Sequence, residues 1–247
     1  MPVLVITGTG TEVGKTVVTA AVAATAVAAA GRAVAVLKAA QTGAGPGEAG
    51  DAEEVARLAG DGVRAGELAR YPEPLAPATA ARRAGRAPVH PEDVAERAAK
   101  LAAEFDLVLV EGAGGLLVRF DAAGGTLADA AELLGAPVLV VTSAGLGTLN
   151  VSELTVRELQ RRGLEVPGLV VGSWPADPDL AARCNLLDLP DVTGVPLLGA
   201  VPEGAASLPA SSFRARSPEW LAPRLDGTWD AESFRTRAAA GPVGVAV

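Results

Sequence analysis

The sequence predicts an α/β fold, a mostly parallel β-sheet flanked by helices on both faces, and three observations carry that prediction. A glycine-rich loop, Gly8-Thr9-Gly10-Thr11-Glu12-Val13-Gly14-Lys15-Thr16, follows a short apolar run and precedes a long Ala/Val-rich one. That is the strand–loop–helix order of a P-loop NTPase-like fold. Short β-branched runs then alternate with longer helical stretches, as crossover connections between parallel strands require. Finally, 49% of the residues are apolar but only 3% aromatic, so Ala, Val and Leu must build the core. Such a mixture suits strands covered on both faces and closely packed helices.

Taken in order, strands are predicted over residues 3–7, 33–38, 107–111, 137–142, 168–173 and 197–201. Helices are predicted over 14–30, 52–58, 91–105, 127–134, 148–162 and 180–187. His90-Pro91-Glu92-Asp93 reads as a helix start, because proline and acids both suit a first turn. Residues 44–50 form a Gly/Pro-containing loop after the second strand. Residues 71–88 carry four prolines and read as a surface excursion near the active face. One domain is expected over 1–225, followed by a peripheral or partly disordered tail over 226–247.

Composition narrows the function. A net charge of -8 argues against non-specific binding to nucleic acid or to an anionic membrane. Cys184 is the single cysteine, so neither an intrachain disulfide nor a cysteine-based metal site is open to the chain. The uncharged stretch 17–31 is shorter than the ~20 residues of a membrane span and follows the glycine loop, so it reads as a buried helix and not as a signal peptide. A soluble, cytoplasmic protein is expected.

The chemistry gathers at predicted strand ends. The loop over 8–16 reads as the Gly-x4-Gly-Lys-Thr type, whose glycines let backbone N–H groups approach phosphate oxygens. The following helix adds its positive N-terminal dipole. Gly10, Thr11, Glu12, Val13, Gly14, Lys15, Thr16 and Val17 are thus expected to line a triphosphate, with Lys15 on the β- and γ-phosphates and the Thr16 hydroxyl on Mg2+. Lys38 ends the second strand on the same rim, where it can stabilise a phosphoryl group in transfer; the plainer reading is a solvated strand-end lysine. Glu111 ends an apolar strand before Gly112-Ala113-Gly114-Gly115 and is the expected magnesium partner. Asp51 is a further candidate ligand, its alternative being the N-cap of the helix after it. His90 is expected near a helix start and not as a base, and Trp220 and Trp229 as structural or peripheral.

Together these segments resemble the dethiobiotin synthetase family. The likeness covers about residues 2–225 and rests on the glycine loop, on Lys38 with Gln41-Thr42-Gly43, on Val110-Glu111-Gly112-Ala113-Gly114-Gly115, and on Leu146-Gly147-Thr148-Leu149-Asn150. The resemblance implies an ATP-dependent ligase of biotin synthesis, working as a homodimer. One amino group of 7,8-diaminononanoate takes up CO2 as a carbamate. The carbamate oxygen attacks the γ-phosphate, giving a carbamic-phosphoric anhydride and NDP. The second amine then closes the ureido ring and releases phosphate. Implied catalytic residues are Lys15, Lys38 and Thr11, with Thr16, Asp51 and Glu111 on the metal. Thr11, Lys38, Thr42, Gly114 and Gly115 are implied to line the diamine. Leu146, Leu149 and Asn150 would reach it from the partner subunit, where a helix start can receive its carboxylate.

Two departures from the family pattern matter. Ala39 follows Lys38 where proline is usual. Gly172-Ser173-Trp174-Pro175 replaces a segment that usually offers an asparagine to the base, so backbone contacts and relaxed choice among nucleoside triphosphates are expected. Pro202, Glu203, Gly204 and Ala205 form the expected opposite wall. Two alternatives fit less well. A corrin-modifying amidotransferase needs a glutaminase domain with a nucleophilic cysteine, for which 247 residues and Cys184 leave no room. A partition or septum-placement ATPase typically carries an early lysine in the loop, where this chain has Thr9 and Gly10.

Overall fold

The computed structural model describes residues 2–45 and 47–239. β1 (Val3–Gly8) runs through the glycine loop into α1 (Lys15–Ala30), and β2 (Val34–Lys38) and the two-residue β3 (Gln41–Thr42) follow. Next come α2 (Asp51–Ala59), β4 (Val63–Glu67), β5 (Arg70–Tyr71), α3 (Pro77–Ala84) and α4 (Pro91–Ala102). β6 (Leu107–Gly115), α5 (Leu127–Leu134), β7 (Val138–Thr142) and α6 (Thr148–Arg161) form the middle of the chain. β8 (Leu169–Trp174), α7 (Leu180–Thr193), β9 (Leu197–Pro202), α8 (Ala210–Arg216) and α9 (Ala231–Ala239) complete it.

Seven strands pair in the order β4-β2-β6-β1-β7-β8-β9, every neighbouring pair parallel. β3 and β5 make a separate parallel pair. From β1 the chain builds one side of the sheet and returns as β6, then crosses to the other side as β7, β8 and β9. The reversal falls at β1, and a ligand crevice is expected just beyond the carboxyl end of that strand.

Strand periodicity divides the core in two. Val3, Val5, Ala35, Leu37, Val108 and Val110 face α4, α5, α6 and α7. Ile6, Val34, Val36 and Leu109 face α1, α2 and α8. Alternation therefore carries Lys38 and Glu111 to the α1 side, since each stands two residues beyond a residue of that face. α1 is apolar nearly all round, with Val18, Ala20, Ala21, Ala23, Ala24 and Ala26 buried, and the small side chains let it lie close on the sheet.

Five expectations need correction. β4 was not foreseen, because it is an edge strand with only Val63 buried and shows no apolar run. Residues 71–88 are more than an excursion: Tyr71 is buried, and Pro77 starts α3 with Ala80 and Ala81 packed inward. α4 stops at Ala102, short of Phe105. α7 continues past Leu187 through Pro190 to Thr193, with Leu186 and Leu189 anchoring the turns around the proline. The tail departs from the expectation of a peripheral segment. Trp229 is buried, and Phe234 of α9 packs on it and edge-on against Trp174. Residues 240–247 of that tail lie outside the described residues.

Candidate active site

The site grows from a register. Lys38 and Glu111 are partners on neighbouring strands β2 and β6, both on the α1 face. The Lys38 ammonium donates to Glu111 Oε1 at 2.8 Å and to the Gly112 carbonyl at 2.9 Å. It also meets Asp51 Oδ2 at 2.5 Å. α1 supplies the rest of the clamp: Thr16 Oγ1 donates to Glu111 Oε1 at 3.0 Å, and Thr19 Oγ1 donates to Oε2 at 2.6 Å. Burial works against charge on Lys38, but the Glu111 and Asp51 carboxylates outweigh it, and its pKa lies above the ordinary lysine value.

Asp51 is not the cap of α2. Gly50 takes that position, and the Glu53 carboxylate accepts from its N–H. The Asp51 carboxylate is left free to face Lys38, while its own N–H donates to Gln41 Oε1 at 2.8 Å. Gln41, buried, is therefore a positioning residue that sequence reasoning quoted in a motif without a role; its place beside Lys38 was the available signal.

The glycine loop is one residue longer than the pattern first applied to it. Five residues separate Gly8 from Gly14, so Thr9 holds the position of the pattern's first glycine. The chain accommodates this with Glu12 and Gly14 at positive φ, 59° and 91°. A Cβ at Gly14 would stand 2.4 Å from the Gly172 carbonyl oxygen, and one at Gly172 would stand 2.0 Å from the Val13 carbonyl. The loop thus lies directly on the end of β8, backbone against backbone. Lys15 Nζ donates to the Gly10 carbonyl at 2.8 Å. Burial, with the nearby Lys38 cation second, holds the Lys15 pKa below the ordinary lysine value.

A cleft of about 650 Å³ opens over these groups. Of the residues singled out from sequence, Thr11, Glu12, Gly14, Lys15, Thr16, Lys38, Thr42, Asp51 and Gly114 line it, and Glu111 is buried at the base of the same cluster. Gly115 stands opposite Gly8 in register. Val13 and Val17 are both half-buried and pack against the core. Pro74, Leu75, Ala76, Pro77 and Val118 form an apolar wall that sequence reasoning missed, because nothing local marks residues brought over by α3 and the loop after β6. Leu146, Leu149 and Asn150 do not line this cleft; they surround the start of α6, where Leu146 is 92% exposed. Residues 172–175 and 202–205 are also outside it but adjoin one another: Trp174 pairs with Pro202, and its carbonyl accepts from Glu203 N–H at 2.8 Å. His90 caps the start of α4 and pairs with Asp121, away from the cleft.

The donors present fit magnesium. Thr16, Glu111 and Asp51 offer hard oxygens around one point, yet no group of three or more His, Cys, Asp or Glu side chains able to hold a metal occurs among the described residues. Such a sparse set matches an ion that takes much of its coordination from phosphate and water.

Comparison with known proteins decides the family. A model of the AAA domain matches residues 3–210. The ATP-dependent dethiobiotin synthetase of Streptomyces coelicolor is 76% identical over 96% of this chain and 99% of its own length. The chain belongs to the ATP-dependent dethiobiotin synthetase family. The Rhodococcus jostii synthetase shares 57% identity over 93% of this chain and 96% of its own. The fold extends beyond the synthetases. The septum site-determining protein MinD of Pyrococcus horikoshii, complexed with Mg-ADP, superposes with a TM-score of 0.53 at 18% identity, covering 96% of this chain and 94% of that one. A ParA family ATPase of Chlorobium tepidum gives 0.55 at 15% identity, covering 96% and 98%. Identities this low speak for the P-loop fold alone. Among the described residues of this synthetase chain, no helix is long and apolar enough to cross a membrane.

Proposed function

We propose that the chain closes the ureido ring of dethiobiotin from 7,8-diaminononanoate, CO2 and a nucleoside triphosphate. The observation that carries this reading is one cleft holding two buried lysines of different kinds, Lys15 on the phosphate loop and Lys38 clamped to Glu111 and Asp51. A carbamate is a poor electrophile until its oxygen is phosphorylated, and two anions must meet for that to happen. Lys15 and the loop N–H groups hold the triphosphate, and Lys38 screens the carbamate oxygen from the γ-phosphate it attacks. Thr11, Thr42, Gly114 and Gly115 border the diamine. The apolar wall at Pro74 and Leu75 suits its methylene chain.

Thr16, Glu111 and Asp51 are the residues that would hold magnesium, whose charge would offset that of the phosphate oxygens. Were those carboxylates to hold the ion, the Lys38 ammonium would be free to face the substrate. We read the enzyme as a homodimer in which Leu146, Leu149 and Asn150 serve the partner's cleft; the exposed Leu146 and the α6 start, which lacks a side-chain cap, support this. The base is held by backbone at 172–175 against 202–205. A nucleotide co-substrate and a free, exposed thiol at Cys184 suit a cytoplasmic setting.

Phosphate release measured with and without each co-substrate tests the reaction. It is expected to require both diaminononanoate and bicarbonate, and to proceed at comparable rates with ATP, CTP and GTP. Release independent of the diamine overturns the reading, and strong preference for one nucleotide overturns the backbone account of the base.

A further inference from the structure

Beneath the start of α6 lies a set of hydroxyls that the reaction does not use. Thr142 ends β7 and is fully buried, as are Thr148 and Ser152 on the first two turns of α6. Thr142 Oγ1 stands 2.6 Å from Thr148 Oγ1, 2.7 Å from Ser152 Oγ and 3.4 Å from Thr9 Oγ1 of the phosphate loop. Proton counting sets the direction of each bond. Thr148 spends its single proton on the Ser143 carbonyl at 2.7 Å, so it must accept from Thr142. Thr142 has then used its own proton, and must accept from both Ser152 and Thr9. The chain runs one way: Thr9 to Thr142 to Thr148 to the Ser143 carbonyl. Asn185 of α7, also buried, holds the same turn from the other side, donating to the Ala144 and Gly145 carbonyls at 2.9 Å each.

The turn held this way is uncapped. Gly147, at φ 92°, offers no side chain to the free N–H groups of α6, and Leu146 beside it points to solvent. A helix start that is rigid below and open above is built to present its N–H groups outward. We propose that Thr142 is the positioning residue that fixes the 144–150 turn to the phosphate loop, so that the segment offered to the partner's diamine carboxylate is set by the nucleotide site of its own subunit. The inference rests on the reading that Leu146, Leu149 and Asn150 serve the partner.

The test is steady-state kinetics of the full-length dimeric enzyme with Thr142→Val, which keeps volume and removes the hydroxyl. The KM for diaminononanoate is expected to rise roughly tenfold, the scale of a lost buried hydrogen bond that leaves Thr148 and Ser152 without their partner. kcat and the nucleotide KM should stay within about twofold, and Thr142→Ser should restore the diamine KM because it restores the hydroxyl. An unchanged diamine KM in a folded Thr142→Val overturns the proposal. So does a parallel loss of kcat, both KM values and melting temperature that Thr142→Ser fails to rescue, which is what a merely structural role gives. Asn150→Ala separates the two layers. If it raises the diamine KM while Thr142→Val does not, only this proposal fails; if Asn150→Ala leaves the KM unchanged, the partner reading fails and takes this proposal with it.

Discussion

Lys15 and Lys38 stand on one rim, are both buried, and are prepared in opposite ways. Lys15 hangs from a backbone carbonyl with no carboxylate in contact, and its pKa is held down by burial. Lys38 is clamped between two carboxylates, and its pKa is held up. Burial acts on both in the same direction, so the difference between them lies in the neighbouring charges. A cation without a partner waits for phosphate to supply one. A cation already held by two carboxylates can stay charged and buried as long as they face it.

The largest effect that separates the two comes from removing each in turn. Lys38→Ala is expected to cut turnover on the order of 10²–10³-fold. It should also destabilise the fold by about 3 kcal/mol, because Glu111 is stranded in the interior without its cation. Lys15→Ala should lose turnover on the same scale with no stability cost, since it deletes an unpaired buried charge. Turnover assays and urea unfolding of both variants read this; equal stability losses would erase the contrast. A smaller effect sharpens the Lys38 side. Thr19→Val deprives Glu111 Oε2 of its donor and should cost about 1–3 kcal/mol, read by the same unfolding curves. A neutral result would mean that Lys38 and Thr16 suffice to hold Glu111.

The smallest effect is in alkaline titration of stability. Lys15 has a folded pKa below the ordinary lysine value of 10.5, so between the two the unfolded chain binds more protons and stability rises with pH. Lys38 has a folded pKa above 10.5, so its contribution is fully present below that value and is lost as pH climbs through the folded one. Melting temperatures of wild type minus each alanine variant should move in opposite directions across this range. Parallel movement would mean that the two lysines share one environment.

Much of this contrast was legible beforehand, because strand ends are where a parallel sheet exposes side chains. Lys38 and Glu111 each close an apolar run, and their pairing follows from alternation once β2 and β6 are neighbours. What separated Asp51's two readings was not in the sequence: Gly50 had to be seen in the cap position before the carboxylate could be given to Lys38. Gly172 was read for what it lacks toward a base, while its contact with the Val13 carbonyl depends on how β8 meets the loop. The Pro74–Leu75 wall was illegible for a similar reason, since proline spacing marks a turn but not what the turn leans on. α9 was hidden by a polar, Gly/Ala-rich composition in which Trp229 and Phe234 are the large side chains that pack, beside the small Ala231 and Ala238.

The order of strands also sets when this site can exist. β1, which carries the phosphate loop, is made first, yet both of its sheet neighbours come late: Val5 pairs with Val110 on one side and Val138 on the other. Contacts that hold the loop and α1 in place reach far along the chain, from Thr19 to Glu111 and from Gly14 to Gly172. A chain emerging from the N-terminus first carries β1 and its glycine-rich loop unpaired until β6 and β7 appear. A nucleotide can bind only the finished topology, which makes it a ligand of completed chains and a stabiliser of nothing that precedes them.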